Sequence, residues 1–199
     1  MLGRYVNVLL FVPQVAFGMT LAPIPIEELF READTVAIVQ VKEGHMLGEG
    51  EKSCGARYKG HVKHLFKGKE GSYIDFGHFQ GYQVGERYLL FLTKRKDEIL
   101  EFFAGVSADS EVKAFVADYK GRCEPLLSAN RVMHGGNGAM KVTWSSSLQY
   151  KDGALIATRF VPIPDSLKGV KAEARDAASY EQAVWVRDED MVQFLKGLK

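Results

Sequence analysis

Arg87-Tyr88-Leu89-Leu90-Phe91-Leu92-Thr93 decides how this chain folds. Five apolar residues in a row, bounded by Gly85-Glu86 before and a charged turn from Lys94 to Glu98 after, read as a strand. Odd and even positions are both apolar, so both faces of the strand are covered. Such a strand is expected to be the most buried of its set.

Neighbours for it are found upstream. Thr35 to Lys42 is rich in β-branched residues and reads as a first strand. A polar, glycine-bearing loop is expected from Glu43 to Ser53. Arg57 to Phe66 reads as a long second strand, with Tyr58, Val62 and Phe66 among charged residues. Lys67 to Gly71 is a turn, and Ser72 to Phe76 a third strand. Gly77 to Gly85 is a loop bearing His78, Phe79 and Tyr82. Downstream, Ile99 to Ala104 reads as a fifth strand. Five short strands separated by turn signals predict a small barrel or sandwich.

The period changes at either end of this block. Ile26, Leu29, Phe30 and Ala33 sit at i, i+3, i+4 and i+7, with Glu27 and Glu28 in the first turn, which predicts a short helix. Val112, Phe115, Val116 and Tyr119 repeat the spacing within Asp109 to Tyr119, with Gly121 as the expected stop. Beyond it, Met133 to Gly138 reads as a glycine-rich loop. Lys141 to Ser145, Ser147 to Tyr150 and Leu155 to Val161 read as strands, with Asp152-Gly153 at a hairpin turn. Lys168 to Ser179 is ambiguous. Ala183 to Val186 reads as a strand, and Asp188 is expected to cap a last helix whose apolar side is Met191, Val192, Phe194 and Leu195.

Composition sets limits on function. The chain has 199 residues, 46% hydrophobic and 26% charged, which is enough for one ordinary core with a small appendage. Its formal charge is +1, so it lacks the basic excess of a non-specific nucleic-acid binder. At the N-terminus Arg4 precedes an apolar run, Val6 to Val12, which is too short for the roughly 20 residues of a membrane helix. Ala16 and Gly18 fit the small-residue rule of a signal-peptide cut after Gly18, and Ala22 offers a second position. The expectation is a leader of residues 1–18 or 1–22 and an exported protein, periplasmic or secreted. The competing reading of the same residues is an N-terminal strand or buried helix. The two cysteines, Cys54 and Cys123, suggest one disulfide in an exported chain, or two buried thiols in a cytosolic one.

A resemblance rests on four features of this block and one beyond it. Ala33-Asp34-Thr35-Val36 leads the first strand. Cys54-Gly55 stands ahead of Tyr58 and Val62, Phe66-Lys67-Gly68 closes the second strand, and Val84-Gly85-Glu86-Arg87-Tyr88-Leu89-Leu90-Phe91-Leu92 spans the fourth. Cys123 follows the second helix. In this order and spacing the stretch resembles the OB-fold proteins similar to tissue inhibitors of metalloproteinases, a netrin-like group with many exported bacterial members. The resemblance covers a little under half of the chain. It implies a mainly β protein with a five-stranded OB-type barrel and flanking helices over residues 23–123; the strands and last helix read beyond it make a small C-terminal β/α extension over residues 124–199, packed on the barrel. The family's inhibitors bind their target's zinc through a cysteine at the mature N-terminus. Here the two cuts would expose Met19 or Pro23, so that mechanism does not carry over. Fold alone does not fix function.

The chemistry-bearing residues form no catalytic pattern. His61 and His64 lie three apart and, on a regular strand, point to opposite faces, so only a bulge would let them share a ligand. His45, His78 and His134 fall in predicted loops without zinc spacing. No Gly-x-Ser-x-Gly elbow is present, and Ser145-Ser146-Ser147 reads as a strand edge or turn. His134-Gly135-Gly136-Asn137-Gly138 could cradle an anion but lacks the lysine and hydroxyl of a phosphate loop. The rings of His78, Phe79 and Tyr82 are the candidate binding residues, placed either to stack on a ligand or to plug the barrel end. The expectation is therefore a non-catalytic binding protein with a protein partner, and with no nucleic acid, metal or cofactor. Two alternatives stand beside it: a protease inhibitor acting through loops, and an oligosaccharide or oligonucleotide binder on the barrel face.

Overall fold

The computed structural model describes residues 22–48, 53–77, 81–94, 110–143, 153–158, 160–167, 169–171 and 183–198. Helix α1 is Ile26–Glu32, followed by strands β1 (Thr35–Met46), β2 (Ala56–Lys67), β3 (Tyr73–Gly77) and β4 (Arg87–Thr93). Helix α2 is Ser110–Cys123. Strands β5 (Arg131–Val132) and β6 (Ala139–Thr143) flank a short 3-10 turn at His134–Gly136. Strands β7 (Gly153–Ala157), β8 (Gly169–Lys171) and β9 (Ala183–Arg187) and helix α3 (Asp188–Gly197) complete the order.

The strands β1-β2-β3-β5-β4 close on themselves, because β4 pairs with β1 as well as with β5. β3 and β5 run parallel, and the other neighbours in the ring are antiparallel. This is the five-stranded closed barrel of OB type. The fifth strand expected at Ile99 to Ala104 lies outside the described residues. The ring is closed instead by Arg131–Val132, from the stretch beyond Cys123 that sequence reasoning assigns to the extension.

β5 and β6 act as one strand along β4 with a blister in it. Phe91 N–H donates to Gly138 O at 2.8 Å, and Met133 N–H donates to Phe91 O at 3.0 Å. Residues 134–137 thus bulge out opposite a single residue. Before the blister the strand belongs to the barrel. After it the strand leads away into the outer sheet β6-β7-β9-β8.

The alternation along β1 and β4 explains why both faces are apolar. Ala37, Val39, Val41, Tyr88, Leu90 and Leu92 fill the barrel interior. Val36, Ile38, Leu89 and Phe91 face outward into a second core. That core holds Leu29 and Phe30 of α1, Ile156 and Val186 of the outer sheet, and Met191 and Leu195 of α3. Leu89 to Leu92 are all fully buried, as a strand with two covered faces requires. Each such side chain contributes about 1.5–3 kcal/mol relative to exposure.

Several local expectations change. β1 continues to Met46, because Glu43, Gly44, His45 and Met46 pair with Lys59, Tyr58, Arg57 and Ala56 in a ribbon. α2 passes through Gly121 to Cys123, where the disulfide holds its last turn. Among the described side chains of α2, Val116 and Cys123 are buried, while Phe115, expected to face the core, is 60% exposed. The last helix begins at Asp188 with Arg187 in the capping position. Asp188 is not its cap, and Arg187 instead pairs with Asp190 through Nε and Nη2, both at 3.0 Å.

Candidate functional site

At the end of the barrel where β1 and β2 extend as a ribbon, four rings meet. Tyr58 on β2 and Phe76 on β3 are cross-strand partners pointing inward, with stacked rings 5.6 Å apart. Tyr82 sits edge-on to Tyr58 at 5.1 Å and to Tyr88 at 5.2 Å, and 5.5 Å from Phe76. Such edge contacts are worth roughly 0.5–1.5 kcal/mol each beyond area burial. The segment that carries Tyr82 turns at Gly81 and Gly85, both with positive φ (120° and 93°), a backbone that glycine adopts without strain. Gln83 N–H donates to the Tyr88 hydroxyl at 3.1 Å and ties the segment to β4. Burial pushes the Tyr88 phenol pKa above its ordinary value, against the opposing effect of that hydrogen bond.

Tyr82 is therefore a half-buried plug of the mouth, placed by its neighbours. His78 and Phe79 lie outside the described residues. Cys54 and Cys123 are joined, with Cα atoms 5.2 Å apart and both residues buried. The bond clasps the C-terminal end of α2 to the β1–β2 connection at the tip of the ribbon, and the Arg122 guanidinium lies 3.4 Å from the Cys54 sulfur.

Two large apolar side chains stand exposed at the mouth. Met46 is 57% exposed and Val84 is 62% exposed. Both stand near Gly44. Gly44 and Met46 share the inner side of the ribbon, and a Cβ on Gly44 would touch both the Tyr58 ring and a Val84 methyl. Sequence reasoning misses this pair because it takes residues 43–53 for a loop and so does not place Met46 on a strand. The alternation of Gly44, Met46, Ala56 and Tyr58 with charged residues is the available signal.

The outer side of β1-β2-β3 is polar and regular. Gln40, His61 and Tyr73 form one row, and Glu43, Lys59 and Asp75 the next. Arg57 reaches Asp75 at 3.3 Å, Lys59 reaches Glu43 at 4.0 Å, and the Lys59 ammonium lies 5.1 Å from the centre of the Tyr73 ring. Lys63 is the extra residue of a bulge, since His64 pairs with Ile38 and Val62 with Val39. The bulge places His61 and His64 on the same outer side, against the regular-strand expectation. Their rings pack in different directions, His61 on Tyr73 and His64 on Phe66. Among the described residues no three His, Cys, Asp or Glu side chains converge as metal ligands do.

Toward the other end of β2 an open groove of about 610 Å³ is lined by Glu27, Phe30, Arg31, Phe66, Lys67 and Leu198. The Lys67 ammonium donates to the carbonyls of Phe30 and Arg31 at 3.0 and 2.8 Å, neutralising the C-terminal end of α1. Its charge is thus used within the fold. His134, in the blister, has φ +52°. Its Nε2 is buried without a hydrogen-bond partner, and burial lowers its pKa below the ordinary histidine value. No described helix is long and apolar enough to cross a membrane. Compared with family models and with curated proteins, the chain matches none.

Proposed function

We propose that this chain is an exported, non-catalytic interaction protein whose partner is another protein. One observation carries the reading: the barrel is filled by its own side chains and its mouth by Tyr58, Phe76, Tyr82 and Tyr88, which leaves the exterior as the working surface. Exposed apolar side chains rimmed by polar ones mark contact surfaces, and Met46 and Val84 stand at the mouth. The buried disulfide suits an oxidising compartment, the periplasm or the cell exterior. The likeness to metalloproteinase-inhibitor-type OB proteins belongs to this proposal as a likeness of the barrel only. Inhibition through loops is the form the function takes if the partner is a protease.

The test is capture from the source cell envelope on immobilised mature protein. One stoichiometric protein partner is expected, with capture reduced at least tenfold by Val84→Glu while the thermal transition is unchanged. Equal capture by both forms removes the mouth from the interaction, and no captured protein at all defeats the reading. A second reading is favoured by one feature, the Tyr73 ring, 55% exposed among hydrogen-bonding side chains on the outer sheet. An oligosaccharide stacking there would be lost in Tyr73→Ala and kept in Val84→Glu.

A further inference from the structure

Beyond Val41 the ribbon of β1 and β2 has an edge that no described strand covers. In an antiparallel pair the residues of a strand turn their N–H and C=O groups alternately to one edge and the other. Leu47 turns to β2: its N–H donates to Gly55 O at 2.9 Å, and its carbonyl accepts from Cys54 N–H at 2.6 Å. Counting back along the register, His45 opposite Arg57 and Glu43 opposite Lys59 also turn to β2. Gly44 and Met46 turn the other way. The residue before them on that edge is Val41, since Lys42 is the extra residue of a bulge. Val41 is satisfied there, donating to Glu86 O at 2.9 Å and accepting from Gly85 N–H at 2.8 Å. The chain leading into β4 reaches this edge only at Gly85, φ 93°, coming from Tyr82. Among the described residues no main chain pairs with Gly44 or Met46 on this side. Residues 42–46 are all exposed.

An open strand edge offers donors and acceptors at ladder spacing, which another extended main chain matches. The side chains around it say what else that chain carries. On the inner side stand Met46 and Val84, with a Val84 methyl 4.0 Å from where a Cβ of Gly44 would lie. At the start of the edge Lys42 Nζ donates to Gln40 Oε1 at 2.9 Å, and Gln40 Nε2 donates to Gly85 O at 3.0 Å. That string holds the ammonium beside the opening, where no described carboxylate pairs with it. A second copy of this edge would bring another Lys42, and its own carboxylate, Glu43, is already held by Lys59 at 4.0 Å. A segment with a carboxylate of its own suits the charge better.

We propose, resting on the protein-interaction reading, that the partner docks an extended segment on this edge as an added strand beside Gly44 and Met46. Its main chain hydrogen-bonds both residues, its inner side chains lie on Met46 and Val84, and a carboxylate meets Lys42. Side chains of a strand alternate between its faces, so the recognised segment carries apolar residues two apart and an acidic residue near them. The main chain supplies affinity, and the flanking side chains select.

The probe is a library of random dodecapeptides on phage, selected on the immobilised chain with its disulfide intact. Peptides of the stated pattern are expected, and selection of none, or of peptides without it, overturns the proposal. One selected peptide, made synthetically, is then read by amide hydrogen exchange on the parent chain. Exchange at Gly44 and Met46 is expected to slow about tenfold on binding, while Glu43 and His45, already bonded to β2, keep their rates. Binding that leaves Gly44 and Met46 unchanged overturns the edge, and so does their protection in the chain alone as its concentration rises, which assigns the edge to a second copy. Met46→Pro removes an N–H from the open edge and no bond to β2, and proline is tolerated on edge strands. It is expected to keep its thermal transition and to bind the peptide about tenfold more weakly than Met46→Ala, which loses the same side chain. Equal affinities of the two variants count against the added strand. An envelope partner captured equally by both variants overturns this inference and leaves the interaction reading standing, whereas the absence of any captured partner overturns both.

Discussion

His134 is the residue at which local rules are most plainly broken. A bulky side chain at positive φ is strained, typically by about 1–3 kcal/mol, and this one also buries an unpaired ring nitrogen. Burial disfavours the imidazolium, so the folded-state pKa lies below that of the unfolded chain. Below the unfolded histidine pKa the unfolded chain takes up a proton that the folded chain resists. Stability is therefore full above that pKa and falls as the pH drops through it toward the lowered value. His134→Asn removes the titrating group and suits the left-handed backbone. Urea midpoints at pH 7.5 and pH 5 are expected to differ less in the variant than in the parent. An unchanged difference would show that His134 is not the source. From its residue types this stretch announces only a glycine-rich turn, because φ at a single residue is set by the blister opposite Phe91. Gly153 is a similar case. Asp152-Gly153 has the composition of a hairpin turn, yet Gly153 is the first residue of β7, where a Cβ would overlap the Trp185 indole and the Val186 carbonyl.

Among elements, β4 is the most legible in the sequence and β5 the least. Five adjacent apolar residues at Tyr88 to Leu92 announce a strand covered on both faces, and the two faces then belong to two different cores. β5 is two residues long and carries one charge, which is too little for any periodicity to register. It forms because Asn130, Arg131 and Val132 meet Gly77 and β4 after α2 has brought the chain back. The bulges at Lys42 and Lys63 are equally silent, since an extra residue in a ladder leaves no mark in composition. Two cores on one strand make neighbouring substitutions distinguishable. Leu90→Ala opens a hole in the barrel interior, and Leu89→Ala opens one between the barrel, α1 and the outer sheet; each is expected to cost about 2–5 kcal/mol. They differ in what loosens. Hydrogen exchange in Leu90→Ala should accelerate first in β2 and β3, and in Leu89→Ala first in α3, β7 and β9. The same pattern in both variants would mean a single undivided core.

At the scale of the whole molecule, the disulfide is the longest-range constraint on a ring whose last strand arrives late in the chain. Cys54 and Cys123 are 69 residues apart, and the closed loop contains β2, β3, β4 and α2. Closing a loop of that length reduces the freedom of the unfolded chain by about 4 kcal/mol in the chain-entropy description. The bond has a second, local task. Among its described side chains α2 buries little besides Val116 and Cys123, so the clasp at Cys123 holds much of the helix to the body. β5 follows α2 by a few residues, which places the ring's closing strand directly downstream of the clasp. The double variant Cys54→Ala, Cys123→Ala is therefore expected to lose stability by about 4 kcal/mol in urea unfolding. It should lose it unevenly. Amide protection in α2 and at Arg131 and Val132 should fall furthest, while β1 and β4, packed on both faces, keep protection up to the global limit. A uniform loss across all strands would assign the bond a purely unfolded-state effect and separate the clasp from closure of the barrel.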